Sequence, residues 1–432
     1  MEKIVRNAIV HHMEVNSLFS KKQFGFIAKR STVLQLLMVL EDWTDILDHG
    51  GEIDVIYMDF MKAFDKVPHR RLISKLRSYG INDQITKWVE HYLNNRKQRV
   101  IVNGNSSEDH PVLSGIPQGS VLGPILFVIY INDLPNYTIS NTFLFADDTK
   151  IYREIKNEED REIMQQDLDN LQEWSNTWLL KFHPLKCKVL SIKGKSDRCY
   201  SMAGVEETIN LENIAFEKDI GVLVDKDLNF VSHMQQAVNK ANSIVGLIRR
   251  TFVYLDEVTF KQLFKALVRP HLEYAASVWN PYKVKDIEMI ERVQRRATKL
   301  ISGLKDLSYA DRLKKLGIPT LAYRRLRGDM INVYKILNNF HDSAVTTGIF
   351  DTDTSLRTRG HSRKLKKKYC KLDIRKYSFG LRSVDVWNSL PEKVVQATTI
   401  REFEIELDNY WNNFELKYNH LAGHNFVTGR IK

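Results

Sequence analysis

Three carboxylates carry the chemistry this chain is equipped to do. Asp59 closes an apolar stretch at 53–60 (IDVIYMDF), and Asp147-Asp148 lie between Phe145-Ala146 and Ile151-Tyr152. Charge on an apolar strand costs free energy unless the charge has a use. Taken singly, each has a plain structural explanation. An Asp pair at a hairpin tip is ordinary turn chemistry, and an Asp that ends a strand often caps a helix or pairs with a cation. Taken together they admit a sharper reading. Neighbouring strands of one sheet would bring all three onto shared Mg²⁺, an ion that takes oxygen ligands. Two such ions hold the attacking and the leaving oxygen of an in-line phosphoryl displacement, and positioning then supplies most of the rate.

The elements that must position these residues follow from the patterning. Helices are expected at 2–19 and, opened by Ser31 and Thr32, from there to Gly50-Gly51, with Val33, Leu34, Leu37, Met38, Leu40 and Ile46 turned to a core. A buried strand at 53–60 precedes a helix that Pro68 opens and Gly80 ends. Asn103-Gly104, between 99–102 and 108–113, reads as a hairpin, and 143–145 with 150–152 flank a second one at Asp147-Asp148. Residues 119–131 read as helical despite Pro124. A helix at 157–180 places Ile163, Leu168, Leu171, Trp174 and Trp178 on one stripe. Beyond a polar linker at 193–210 come a strand at 216–224, helices at 232–254, 257–268 and 283–302, an irregular stretch at 345–362 and a last helix at 401–416.

Composition narrows the class. The chain has 432 residues, 43% hydrophobic, which excludes disorder as its dominant state. Its formal charge of +11 points to a polyanionic partner, nucleic acid before membrane. Cys187, Cys199 and Cys370 make neither a disulfide framework nor a zinc spacing, which suits a reducing compartment. The first residues hold no apolar signal core, and the longest apolar run, 125–131, is far short of the roughly 20 residues that span a bilayer. The expected location is intracellular, nucleus or cytoplasm. A run at 357–376 gathers Arg357, Arg359, Arg363, Lys364, Lys366, Lys367, Lys368, Lys371, Arg375 and Lys376 against Asp373 alone, with Tyr369 and Tyr377 interleaved. Two readings stand: a track along a phosphate backbone with the tyrosines stacked on bases, or a solvated loop or nuclear-import-like patch.

Four segments in order, YMDFMKAFDKVPH at 57–69, SGIPQGSVLGPILFVIYINDLP at 114–135, FADD at 145–148 and WLLKFHPLKCKVL at 178–190, resemble the motifs of a reverse transcriptase. Their fuller forms are similar to the non-LTR retrotransposon branch, jockey-like elements in particular, and FGFIAKRST at 24–32 is similar to that family's fingers motif. The resemblance implies that Asp59 and Asp147 ligate two Mg²⁺ (Mn²⁺ as an alternative), with Asp148 a weaker ligand. It implies that Phe64 is a steric gate against the ribose 2′-OH, and that Phe60, Gln118, Gly119, Lys29 and Arg30 line the substrate. Lys186 would neutralise or protonate the leaving pyrophosphate, and 216–225 would be the primer grip.

The fold implied is α+β: a right-hand polymerase with partial fingers and palm at 1–195, primer-grip strand and helical thumb at 196–305, and a helical, basic C-terminal region at 306–432. Its reaction would extend a primer 3′-OH with deoxynucleotides on an RNA template, the partners being RNA, a DNA primer and dNTPs, with no protein partner identifiable. The alternatives are a truncated, inactive nucleic-acid-binding remnant and an RNA-dependent RNA polymerase; Phe64 and Ala146 speak against the second. His183 stands where the family usually has Asn, and Ile27 where Arg is frequent. An upstream fingers segment, an endonuclease, an RNase H signature and a Cys/His knuckle are not found, so the chain is expected to be the C-terminal part of a longer polyprotein or a truncated copy.

Overall fold

The computed structural model describes residues 1–194, 198–204, 207–353 and 360–422. Arg357 and Arg359 of the basic run, and parts of the 193–210 linker, lie outside them. The chain packs as two compact units, Met1–Thr32 with Gly51–Ala215, and Val33–Gly50 with Phe216–Lys432. Helix and sheet are mixed.

The first unit is built on a five-stranded sheet, with β1 at Ile53–Met58, β2 at Asn141–Phe145, β3 at Asp148–Glu154, β4 at Lys188–Ile192 and β5 at Glu212–Asn213. Their spatial order is β5-β4-β1-β3-β2, antiparallel except that β5 runs parallel to β4. Central β1 is buried along its length, as its apolar run requires. Ile56 and Met58 share a core with Ile125 and Ile129 of helix Gly123–Tyr130 and with Leu168 and Leu171 of helix Glu158–Trp178. Pro124 does not interrupt that first helix, which begins at Gly123 and so keeps the proline in its opening turn, where no N–H is missed. On Glu158–Trp178 the core stripe holds Met164, whereas Ile163 is half-buried. The Asn103-Gly104 hairpin is present, with both residues at positive φ.

Asp54, on the opposite end of β1 from Asp59, is fully buried. Arg198 Nη1 (2.9 Å), Ser191 Oγ (2.7 Å) and Tyr200 OH (2.7 Å) all donate to its carboxylate.

The second unit is helical apart from a hairpin of Phe216–Asp219 with Val222–Asp225. Helices Val231–Thr251, Val284–Ala297 and Leu321–Leu337 form its body, with Phe379–Asn388 and Ile400–Tyr410 against the last of these. Leu321–Leu337 and Phe379–Asn388 are helices that the sequence reading passed over. Helix Thr32–Asp48 belongs here by its packing. Arg375 donates to Glu41 Oε1 (2.7 Å), and the Lys371 and Leu372 amides donate to Asp48 Oδ1 (2.8 and 2.7 Å). No helix among the described residues is long and apolar enough to cross a membrane.

Candidate active site

Asp59 follows β1 directly, one step past the Met58–Thr149 pair. Across the sheet Phe145 pairs with Asp148, which leaves Ala146 and Asp147 as a tight turn. Ala146 adopts φ +54°, a left-handed conformation that costs a non-glycine residue about 1–2 kcal/mol. The register thus sets Asp59 and Asp147 at the same end of adjacent strands. Burial pushes the Asp147 carboxyl above its ordinary value; its own backbone N–H works the other way, and the charge of Asp59 adds to the rise.

Asp59 is the less conventional partner. Its Oδ2 is hidden from solvent and accepts no hydrogen bond among the described residues. The Lys186 ammonium stands 3.2 Å from that oxygen as an ion pair, outside hydrogen-bond geometry. Lys186 is placed by a 3-10 turn, Pro184–Lys186, in which its N–H donates to His183 O (2.8 Å). The His183 N–H donates to Asp59 O (2.8 Å), so the turn hangs from the end of β1 with histidine at that position.

Two carboxylates crowded together, one raised by burial and one with an orphaned oxygen, fit a hard cation with oxygen ligands. Asp148 opens β3 with an exposed side chain. Among the described residues no three His, Cys, Asp or Glu side chains form a ready metal group. The structure therefore brings together Asp59, Asp147 and Lys186, with Asp148 beside them.

Against known proteins, residues 1–237 match the family model described as reverse transcriptase (RNA-dependent DNA polymerase). The chain belongs to the reverse transcriptase family. It is 27% identical over 319 residues to a probable RNA-directed DNA polymerase from transposon X-element of Drosophila melanogaster, covering 70% of this chain and 34% of that protein. To the RNA-directed DNA polymerase from mobile element jockey of the same fly it is 23% identical over 387 residues, covering 85% and 41%. The chain thus spans between a third and about two-fifths of the length of these curated relatives. Apo telomerase from Candida tropicalis aligns over 99% of this chain and 59% of its own, with a TM-score of 0.40 and 9% identity.

The remaining motif residues of this member of the family fall into distinct places. The Ser114–Ser120 loop is stitched to the segment after Asp59: the Ile116 N–H donates to Phe64 O and the Gly115 N–H to Val67 O, each at 2.8 Å. Gly115, at φ +92°, passes so near the Asp65 backbone that a Cβ there would clash. Gln118 is exposed and donates to Asp65 Oδ1 (2.9 Å), and exposed Gly119 adopts φ +77°. Phe64 is half-buried, its ring stacked on Phe127 at 4.4 Å.

Phe60, expected against substrate, is a core ring at 5% exposure, stacked on Phe182 at 4.4 Å, because side chains alternate across the strand and Asp59 takes the open face. Lys29 is exposed at φ +61°. Arg30 turns onto its own loop, donating to Ser20 O (2.6 Å) and Gln23 O (2.5 Å). In the basic run Arg363 donates to Asn338 Oδ1, Lys367 pairs with Asp385, and Lys368 stands 3.4 Å from Asp351, whereas Lys366 and Tyr369 are exposed. Lys364 is half-buried.

Sequence reasoning missed Gln23, whose carboxamide touches the Ala146-Asp147 turn. The available signal was its position directly before the Phe24-Gly25 of the fingers motif.

Proposed function

We propose that this chain is an RNA-directed DNA polymerase that extends a primer 3′-OH with dNTPs by phosphoryl transfer, in the service of retrotransposition. The observation that carries the reading is the Asp59–Asp147 pair at one end of adjacent strands, with burial and the charge of Asp59 raising the Asp147 carboxyl, in a chain of this family. Asp59 and Asp147 would hold Mg²⁺ or Mn²⁺, with Asp148 as an outlying ligand. Such an ion, when bound, activates the primer hydroxyl and neutralises charge on the leaving oxygen.

The chain's own residues supply the rest. Lys186, whose ammonium stands 3.2 Å from Asp59 Oδ2, would be placed to give a proton to the departing pyrophosphate. Phe64, fixed by its stack on Phe127, is a rigid wall suited to excluding a 2′-OH. The Gln118-Gly119 loop, held at a constant offset from Phe64 by backbone bonds, offers its exposed edge to the nucleotide. Lys29, exposed beside this motif, would meet the triphosphate.

We read residues 1–195 as partial fingers and palm, 196–305 as primer grip and thumb, and 306–432 as the basic C-terminal region. The hairpin 216–225 and the helix after it border a groove lined by Lys218, Lys240, His271 and Tyr274, without a carboxylate, which suits a phosphate backbone. The run Arg363, Lys364, Lys366, Lys367 and Lys368 would add backbone contacts, led by exposed Lys366 and Tyr369.

The test is Mg²⁺-dependent dTTP incorporation on poly(rA)/oligo(dT), beside the Asp147→Ala, Asp148→Ala double variant. Incorporation that the double variant abolishes supports the reading. A chain that binds the hybrid and incorporates nothing refutes it.

A further inference from the structure

Beyond its acidic pair, the catalytic turn has a support on another segment of the chain. Gln23 is fully buried, and its Oε1 accepts two backbone N–H groups, from Gly25 (2.7 Å) and from Ala146 (2.9 Å). Ala146 is the left-handed residue that aims Asp147. A non-glycine residue keeps such a conformation only where its surroundings hold it there.

Those surroundings are built from residues 20–30. The Phe24 N–H donates to Leu144 O (2.8 Å) and the Leu144 N–H to Lys22 O (2.9 Å), so the segment lies along β2 as an added strand. Gly25 sits so close that a Cβ would run into the Ala146 nitrogen. Arg30 grips the Ser20 and Gln23 carbonyls from one side, and Asn132 Oδ1 accepts the Ser20 N–H (2.8 Å) from the other. Each contact removes a freedom that Gln23 would otherwise have.

We propose that Gln23 is a positioning residue: its carboxamide oxygen fixes the Ala146 amide and thereby the direction of Asp147. The side-chain type follows from the surroundings. The position needs an acceptor long enough to reach two amides, and a neutral one adds no third negative charge beside Asp59 and Asp147. The effect on catalysis rests on the polymerase reading above, whereas the brace does not.

The test compares Gln23→Met, which keeps the volume and deletes the acceptor, with Gln23→Glu, which keeps an acceptor oxygen. Hydrogen exchange at the Ala146 amide reads the brace, and kcat and KM for dTTP on poly(rA)/oligo(dT) read its consequence. In Gln23→Met the Ala146 amide should exchange about tenfold faster while the β1–β3 ladder keeps its protection. Its kcat should fall by about tenfold to a hundredfold with KM changed by less than about twofold, since a small misplacement of reacting groups is that costly. Gln23→Glu should restore protection at Ala146. An Ala146 amide equally protected in Gln23→Met and the parent overturns the proposal, as does a kcat within about twofold of the parent. Should Gln23→Met not fold, an unprotected Ala146 amide in Gln23→Glu overturns it. A parent chain without polymerase activity defeats the polymerase reading, while exchange at Ala146 still decides the brace.

Discussion

The two ends of the central strand carry the same residue type in opposite circumstances. Asp54 is sealed from solvent with three donors on its carboxylate, whereas Asp59, past the other end, keeps a hidden oxygen with no hydrogen bond and a lysine ammonium nearby. A buried charge that is fully partnered is an internal fastening; breaking it loosens the fold. A carboxylate oxygen left without a donor has capacity for a ligand that arrives later. The residue type is shared; what differs is what the rest of the chain sends to meet each side chain.

Substitution at the Asp59 end should give the largest effect. Asp59→Asn, like Asp147→Asn, is expected to lower primer extension by about a thousandfold, the scale of several kcal/mol of lost charge stabilisation. Thermal unfolding should show a folded protein of unreduced stability, since one of two repelling charges is gone. An Asp59→Asn chain that polymerises normally would erase the distinction between the two ends.

At the partnered end, Asp54→Ala leaves Arg198, 4% exposed, with Glu52 as its remaining counter-charge among the described residues. Chemical denaturation should register a loss of about 3 kcal/mol. The same contrast extends into the second unit. There burial, with a smaller contribution from the charge of Lys218, holds the His233 imidazole down to about 4 from its ordinary 6.5, and its Nδ1 accepts the Leu223 N–H (3.2 Å). Between these values the unfolded chain takes up a proton that the folded chain refuses. Stability is therefore full above pH 6.5 and declines as pH falls toward about 4. Replacing His233 with Phe should flatten that part of the stability–pH curve.

The smallest effect belongs to the exposed pairs of the basic run. Lys367→Ala and Lys368→Ala should each change unfolding free energy by less than about 1 kcal/mol. If these lysines also touch phosphate, each substitution should reduce the salt slope of RNA–DNA hybrid binding by about one. A larger reduction from Lys366→Ala than from either would separate an exposed cation from those with partners inside the protein.

Local chemistry in this chain was legible. The strand before Asp59 and the hairpin at Asn103-Gly104 depend on residues within a few positions of one another, and so does the second hairpin, although its turn is Ala146-Asp147 rather than Asp147-Asp148, since Asp148 already pairs with Phe145. Side chains whose partners are distant were not legible. Gln23 meets Ala146 123 positions away, and Arg375, read as part of a nucleic-acid track, pairs with Glu41 334 positions away. No period or spacing announces such pairs. The expected face of helix Thr32–Asp48 held only in part for the same reason: Leu34, Leu37 and Leu40 are core, but Val33, Met38 and Ile46 are half-buried, while Leu36, Val39, Trp43 and Leu47 are also core and Thr44 is tied to Arg375.

That helix has a consequence for how the protein is made. Thr32–Asp48 leaves the ribosome early, yet Arg375, which fastens it, follows 334 residues later, roughly 20–70 s at synthesis rates of about 5–20 residues per second. The unit around β1 has all its residues once Ala215 emerges. The helix carrying Trp43 is made before the residues from Phe216 onward that complete its unit, so the nascent chain matures out of order, and a premature stop late in translation would leave that early helix without Arg375.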